Sequence, residues 1–219
     1  MYRRCFMSEQ ALRSELVEWA RSMFYRGYSS GGAGNISAKL EDGTIIITPT
    51  NSSFGDLQAN RLSKLDAEGN WLSGDKPTKE VSMHLAMYRN RPECHAVVHL
   101  HSPWLTALSC LSNLDRSNCL PPITPYYVMR VGKLPLVKYL PPGDERIGEE
   151  IAKLAAKHNA ILLSNHGPVV GGKTLRQAFF NAEELEDTAR LYLTLLPHGF
   201  TTLNEEQVQE LETRYPKTE

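Results

Sequence analysis

Ala96-Val97-Val98-His99-Leu100-His101 is the stretch from which the rest of the chain is read. Three apolar residues lead into His-x-His, and Ser102-Pro103 stops the run, which is the pattern of a short buried strand. Side chains alternate along a strand, so His99 and His101 fall on one face. Two imidazoles side by side at a strand end can chelate one divalent cation. The alternative is a pair of satisfied core histidines. A same-face pair costs more to bury without a shared partner, because each ring needs a hydrogen bond or must stay neutral.

Two flanking stretches add donors. Pro77-Thr78-Lys79-Glu80 opens the helix before this strand, and Ser164-Asn165-His166-Gly167 closes a later one. Glu80, His99, His101 and His166 together make three imidazoles and a carboxylate, a set that suits zinc, or a borderline neighbour such as manganese or cobalt. Thr78 reads as the N-cap of that helix, which places Glu80 in its first turn and lets it project into a cleft. Lys79 opposes the helix dipole there, a mild local misfit. His84 follows Glu80 by one turn; Glu-x-x-x-His could form a metal pair, but the preferred reading of His84 is packing or support of the site.

The bulk properties narrow the classes. With 219 residues, 41% of them apolar, and no composition break marking a linker, the expectation is one domain over residues 1–219. A net charge of −1 without a basic block argues against nucleic acid and acidic membranes as partners. Cys5, Cys94, Cys110 and Cys119 lack CxxC spacing and read as ordinary thiols of a reducing compartment. Arg3 and Arg4 are not followed by an apolar targeting segment, and no apolar run is long enough to span a bilayer. A cytoplasmic protein is expected.

Periodicity supplies the remaining elements. Helices are expected over residues 8–25 (Ser8 as N-cap), 78–88, from Ser102 with Pro103 in first position, 144–158, 174–196 and 204–215. Strands are expected over residues 36–40 and 44–48 around an Asp42-Gly43 turn, 62–65 and 70–72, 125–130, 134–140, 160–163 and 169–170. Gly31-Gly32-Ala33-Gly34 could expose backbone N–H groups to an anion, and Thr48-Pro49-Thr50-Asn51-Ser52-Ser53 is dense in hydroxyls; either could equally be a plain turn.

Taken in order, Gly34-Asn35-Ile36-Ser37, Thr48-Pro49-Thr50, Pro77-Thr78-Lys79-Glu80, His99-Leu100-His101-Ser102 and Asn165-His166-Gly167 resemble the class II aldolase/adducin family over nearly the whole chain. The resemblance implies a three-layer α/β/α fold around a central mixed, mostly antiparallel sheet. It also implies a homotetramer with active sites at subunit interfaces. It puts the metal on His99, His101 and His166, with Glu80 as the acid/base carboxylate that can also ligate it. Asn35, Thr50, Asn51, Thr78 and Lys79 match positions that hold a substrate phosphate. Tyr126, rather than Tyr127, matches a tyrosine that reaches a neighbouring subunit's site and handles a proton. Relatives that act as sugar-phosphate aldolases carry Ser-Ser-Glu at Thr78-Lys79-Glu80 and Thr-Gly at Thr50-Asn51. The segments Arg61-Leu62-Ser63-Lys64, Trp71-Leu72-Ser73-Gly74-Asp75-Lys76-Pro77, His99-Leu100-His101-Ser102 and Thr124-Pro125-Tyr126 resemble most the branch that decarboxylates 3-oxo-tetronate 4-phosphate, related to L-fuculose-phosphate aldolase. The implied activity is metal-dependent loss of CO2 from that sugar-acid phosphate through an enediolate, giving dihydroxyacetone phosphate. A fuculose- or ribulose-phosphate type aldolase, a sugar-phosphate epimerase and an adducin-like interaction module are the alternatives the family offers.

Overall fold

A computed structural model describes residues 8–216; Arg3, Arg4 and Cys5 lie outside them. In chain order the elements are α1 (Glu9–Tyr25), β1 (Asn35–Lys39), β2 (Ile45–Ile47), β3 (Ser63–Leu65), β4 (Trp71–Ser73), α2 (Val81–Asn90) and β5 (Ala96–His99). There follow α3 (Pro103–Ser109), α4 (Pro125–Arg130), β6 (Leu136–Val137), α5 (Arg146–Ala155), β7 (Ala160–Leu163), β8 (Gly167–Gly172), α6 (Leu175–Leu195) and α7 (Glu205–Arg214).

The eight strands form one sheet in the order β4-β3-β2-β1-β5-β8-β7-β6. Every neighbouring pair is antiparallel except β6 with β7. Alternation along the strands divides the core in two. Ile36, Ala38, Ile46, Val98, Leu162 and Val170 pack with α1, α3, α4 and α6 on one side. Ile45, Ile47, Val97, Ile161, Leu163 and Val169 pack with α2 and α5 on the other. Both faces of the central strands are therefore covered, as their unbroken apolar sequences require, and the layers are α/β/α.

Four local expectations are corrected. Residues 125–130 form helix α4, not a strand. Pro125 occupies its first position, and the Thr124 hydroxyl caps it by accepting from Tyr127 N at 3.2 Å; Thr-Pro is a helix start, and it overrides the β propensity of the aromatic residues that follow. The strand expected over 134–140 shrinks to Leu136–Val137; at its start Pro135 lacks the N–H that would extend the ladder. Helix α5 spans fewer residues than 144–158; Asp144 stands outside it and accepts from Arg146 N at 2.9 Å. Helix α2 begins at Val81, so Glu80 is its N-cap residue and Thr78 lies before it, its hydroxyl accepting from Glu80 N at 3.3 Å.

Cys94, Cys110 and Cys119 are free thiols. Among the described residues no helix is long and apolar enough to cross a membrane.

Candidate metal centre and cleft

Antiparallel pairing sets Asn35 at the start of β1 directly across from His99 at the end of β5. This brings the glycine loop onto the His strand. Gly34 has φ +84°, and a Cβ there would stand 2.7 Å from the His99 carbonyl oxygen, so only glycine allows the approach. On the other flank, β8 starts at Gly167 and pairs Val169 with His99. Asn165 takes a left-handed conformation, φ 55°, which Asn tolerates. That turn aims His166 back over the strand end.

The four expected metal donors converge. His99 Nε2 and His101 Nε2 are 3.1 Å apart. Glu80 Oε2 lies 3.5 Å from His99 Nε2, and Glu80 Oε1 lies 3.4 Å from His166 Nε2. One donor atom from each residue falls within 4.8 Å of the others. His101 is beyond the strand proper, yet its ring meets that of His99 at 5.0 Å and that of His166 at 4.7 Å.

Burial decides the charge of the three rings. It drives His99 well below the ordinary imidazole value, and the neighbouring His166 and His101 push the same way. Burial lowers His101 to about 4, again helped by His166. His166 is lowered by burial against the opposing pull of Glu80. The contacts to Glu80 therefore do not join ionised pairs, although their distances would allow it; they are lone pairs gathered on one point. His99 Nδ1 donates to the Pro168 carbonyl at 2.8 Å, which turns its Nε2 lone pair inward. Glu80 Oε1 and His166 Nε2 are buried without a hydrogen-bond partner. Neutral imidazoles and a carboxylate converging with orphaned lone pairs fit a divalent cation.

A cleft of about 250 Å³ opens beside this cluster, lined by Glu80, His101 and all five of the expected substrate residues, Asn35, Thr50, Asn51, Thr78 and Lys79, with Gly32, Gly34, Pro142 and Gly143. Backbone bonds hold its two walls together: Thr50 N donates to Lys76 O at 2.9 Å and Thr78 N to Thr48 O at 3.3 Å. The Asn35 side chain is engaged, its Nδ2 donating to Glu80 Oε2 at 2.8 Å and its Oδ1 accepting from His84 Nε2 at 2.5 Å.

Tyr126 is not in this cleft. It is 61% exposed and lines a different cavity with Arg130, Lys157 and Gly172, at the end of β8 away from His166. Tyr127 is fully buried, its hydroxyl donating to Asn118 Oδ1 or the Leu120 carbonyl, and burial raises its pKa. Of the two, only Tyr126 is free to act beyond its own core.

Sequence reading missed Glu186. This buried carboxylate on α6 accepts from Ser102 Oγ at 2.6 Å, Trp104 N at 2.7 Å and Leu105 N at 3.0 Å, closing the first turn of α3 immediately after His101. The signal was present: Glu186 lies four residues after Ala182 and three before Ala189, within the apolar stripe of α6. The Pro142-Gly143 turn also walls the cleft, packed against Lys79.

Residues 14–193 match the family described as the class II aldolase and adducin N-terminal domain. A 3-oxo-tetronate 4-phosphate decarboxylase of Pectobacterium atrosepticum is 56% identical over 93% of this chain and 94% of its own length. An L-fuculose phosphate aldolase of Methanococcus maripaludis is 37% identical over 81% of this chain and 94% of its own. Among solved structures, a Klebsiella pneumoniae protein described as an aldolase, epimerase or decarboxylase superposes with a TM-score of 0.92 at 54% identity, covering 94% of this chain and 99% of that one.

Proposed function

The chain belongs to the class II aldolase and adducin family, and from that premise we propose that it is a carboxy-lyase acting on a 3-oxo-tetronate 4-phosphate, releasing CO2 and dihydroxyacetone phosphate. The observation that carries the reading is the convergence of Glu80, His99, His101 and His166 beside a cleft that also holds Lys79. The cation set argues against a purely adducin-like interaction module, which has no use for three gathered imidazoles.

His99, His101 and His166 would hold one divalent cation per subunit, zinc before manganese or cobalt, with Glu80 close enough to join them when the cleft is empty. Such an ion supplies a Lewis acid where the keto oxygen gains charge. The remaining work falls to the chain itself. Thr50, Asn51, Thr78 and the backbone around Gly32–Gly34 hold the phosphate and so fix the reacting end beside the imidazoles. Lys79 neutralises the phosphate or the carboxylate about to leave. The bond from carbon to the carboxylate breaks, its electron pair moves towards the keto oxygen, and CO2 departs. Glu80, a carboxylate at rest, takes up a proton from solvent through the cleft and passes it to the carbon left behind, which returns Glu80 to the carboxylate. Tyr126 serves the site of an adjacent subunit in a homotetramer, which agrees with its exposure and its distance from its own cleft. The chain acts as one domain, in the cytoplasm, in carbohydrate metabolism.

Product analysis tests this. Cation-loaded protein is offered 3-oxo-tetronate 4-phosphate and, separately, a ketose 1-phosphate. Dihydroxyacetone phosphate is common to both reactions, so the second fragment decides. Release of CO2 from the acid is expected. An aldehyde from the ketose phosphate with no CO2 from the acid would make the protein an aldolase and remove the role given to Lys79.

A further inference from the structure

Behind Glu80 runs a line of buried polar side chains that the proposed chemistry does not use. His84 Nε2 meets Asn35 Oδ1 at 2.5 Å, His84 Nδ1 meets Ser37 Oγ at 2.7 Å, and Ser37 Oγ meets the Tyr88 hydroxyl at 2.6 Å. Asn35, Ser37, His84 and Tyr88 are all buried.

We propose that His84 is a positioning residue: through the sequence Tyr88–Ser37–His84–Asn35 it fixes which edge of the Asn35 amide faces Glu80. This rests on the reading that Glu80 moves the proton.

The polarity of the line is forced from the Glu80 end. A carboxylate only accepts, so Asn35 must present its Nδ2 to Glu80 Oε2, where the distance is 2.8 Å. Its Oδ1 then faces His84, which must carry a proton on Nε2. Complete burial lowers the pKa of His84 to about 3, so the ring is neutral and Nδ1 is an acceptor. Ser37 must therefore donate its one proton to Nδ1 and accept from the Tyr88 O–H. Every donor in the line points towards Glu80. Reversing the Asn35 amide would set oxygen against oxygen at Glu80 and donor against donor at His84.

The consequence lies in how Glu80 is held. Its Oε2 is anchored by Asn35, while Oε1 has no hydrogen-bond partner. One oxygen fixes the carboxyl plane and the other is left for chemistry. Without His84 the amide is free to turn, and the carboxylate loses its anchor.

Two measurements test this. Long-range proton–nitrogen spectra of the wild-type protein, labelled on histidine nitrogen, should show His84 as the Nε2–H tautomer with an acceptor Nδ1. An Nδ1–H tautomer or an imidazolium would overturn the proposal. On cation-loaded enzyme, His84→Leu should lower kcat about ten- to a hundredfold with cation content and KM little changed. His84→Gln, whose amide N–H can reach Asn35, should recover most of the loss. In a Glu80→Gln background the His84→Leu penalty should vanish, since the anchored carboxylate is already gone. An equal penalty in both backgrounds would show a merely structural role and overturn the proposal. Full activity of Glu80→Gln alone would remove the proton-transfer reading itself and this inference with it, and that single variant separates the two failures.

Discussion

Replacing Glu186 by Gln should destabilise the protein through one short helix. The carboxylate is buried and accepts three hydrogen bonds, two from the backbone N–H groups of Trp104 and Leu105 and one from Ser102 Oγ. These donors belong to the open first turn of α3, a helix of seven residues that cannot hold itself without its cap. Gln preserves the shape but has one accepting oxygen. Its amide nitrogen must then confront a backbone N–H or the Ser102 hydroxyl, leaving at least one buried donor unpaired. An unpaired buried group costs about 1–3 kcal/mol, and loss of charge from the surviving bonds adds about 1 kcal/mol, so the expected loss is about 2–4 kcal/mol. For a chain of this size that lowers Tm by about 5–15 °C. The assay is urea unfolding of cation-free protein at fixed protein concentration, so that neither cation binding nor subunit association contributes. Since His101 immediately precedes Ser102, cation affinity should also fall about tenfold in the variant. An unchanged urea midpoint would refute the reasoning, because it would mean that α3 holds its first turn without the Glu186 charge.

Other outcomes follow from the same geometry. His101→Ala should lose the cation while keeping its fold, measured by elemental analysis on protein purified without a histidine tag; full occupancy would count against His101 as a ligand. Gly167→Ala should be destabilised by at least about 3 kcal/mol, because the residue has φ +149° and its Cβ would sit 2.1 Å from the Leu100 carbonyl oxygen; soluble protein with wild-type thermal stability would contradict this. His84 titrates near 3 in the fold against about 6.5 unfolded, so it contributes stability that is intact above pH 6.5 and is lost as pH falls towards 3. Between pH 6 and 5 its share should approach about 1.4 kcal/mol per pH unit, and His84→Gln should flatten the stability profile by that amount. An identical profile for the two proteins would exclude it.

The apolar patterns were legible because they are local. Val97 and Val98, or Ile161 and Leu162, read as buried strands from their own neighbours, and the structure distributes them to opposite faces of the sheet as alternation demands. Residues 125–130 show how the same logic fails: Tyr126, Tyr127 and Val128 carry β propensity, while the helix is decided by Thr124 and Pro125 just upstream. The site was legible as residue types in order, but not as a place. Asn35 and His99 are 64 residues apart in sequence and become direct partners only through strand pairing that no local pattern specifies.

What lay between those two kinds of information was the line of polar groups behind Glu80. Glu80 at the N-cap of α2, and His84 and Tyr88 within it, recur every four residues along one side, while Asn35 and Ser37 share one face of β1. Four helical residues advance about 6 Å and two strand residues about 6.8 Å, so the two polar stripes stay in step when helix and strand run the same way. Each strand side chain then falls between two helix side chains, and the observed bonds follow that order: Glu80 to Asn35, Asn35 to His84, His84 to Ser37, Ser37 to Tyr88. A polar stripe on a buried helix is costly unless something opposite matches it. Its presence in α2 therefore already required a matching polar strand, and Asn35-x-Ser37, inside the glycine-led motif, is the stripe that satisfies it.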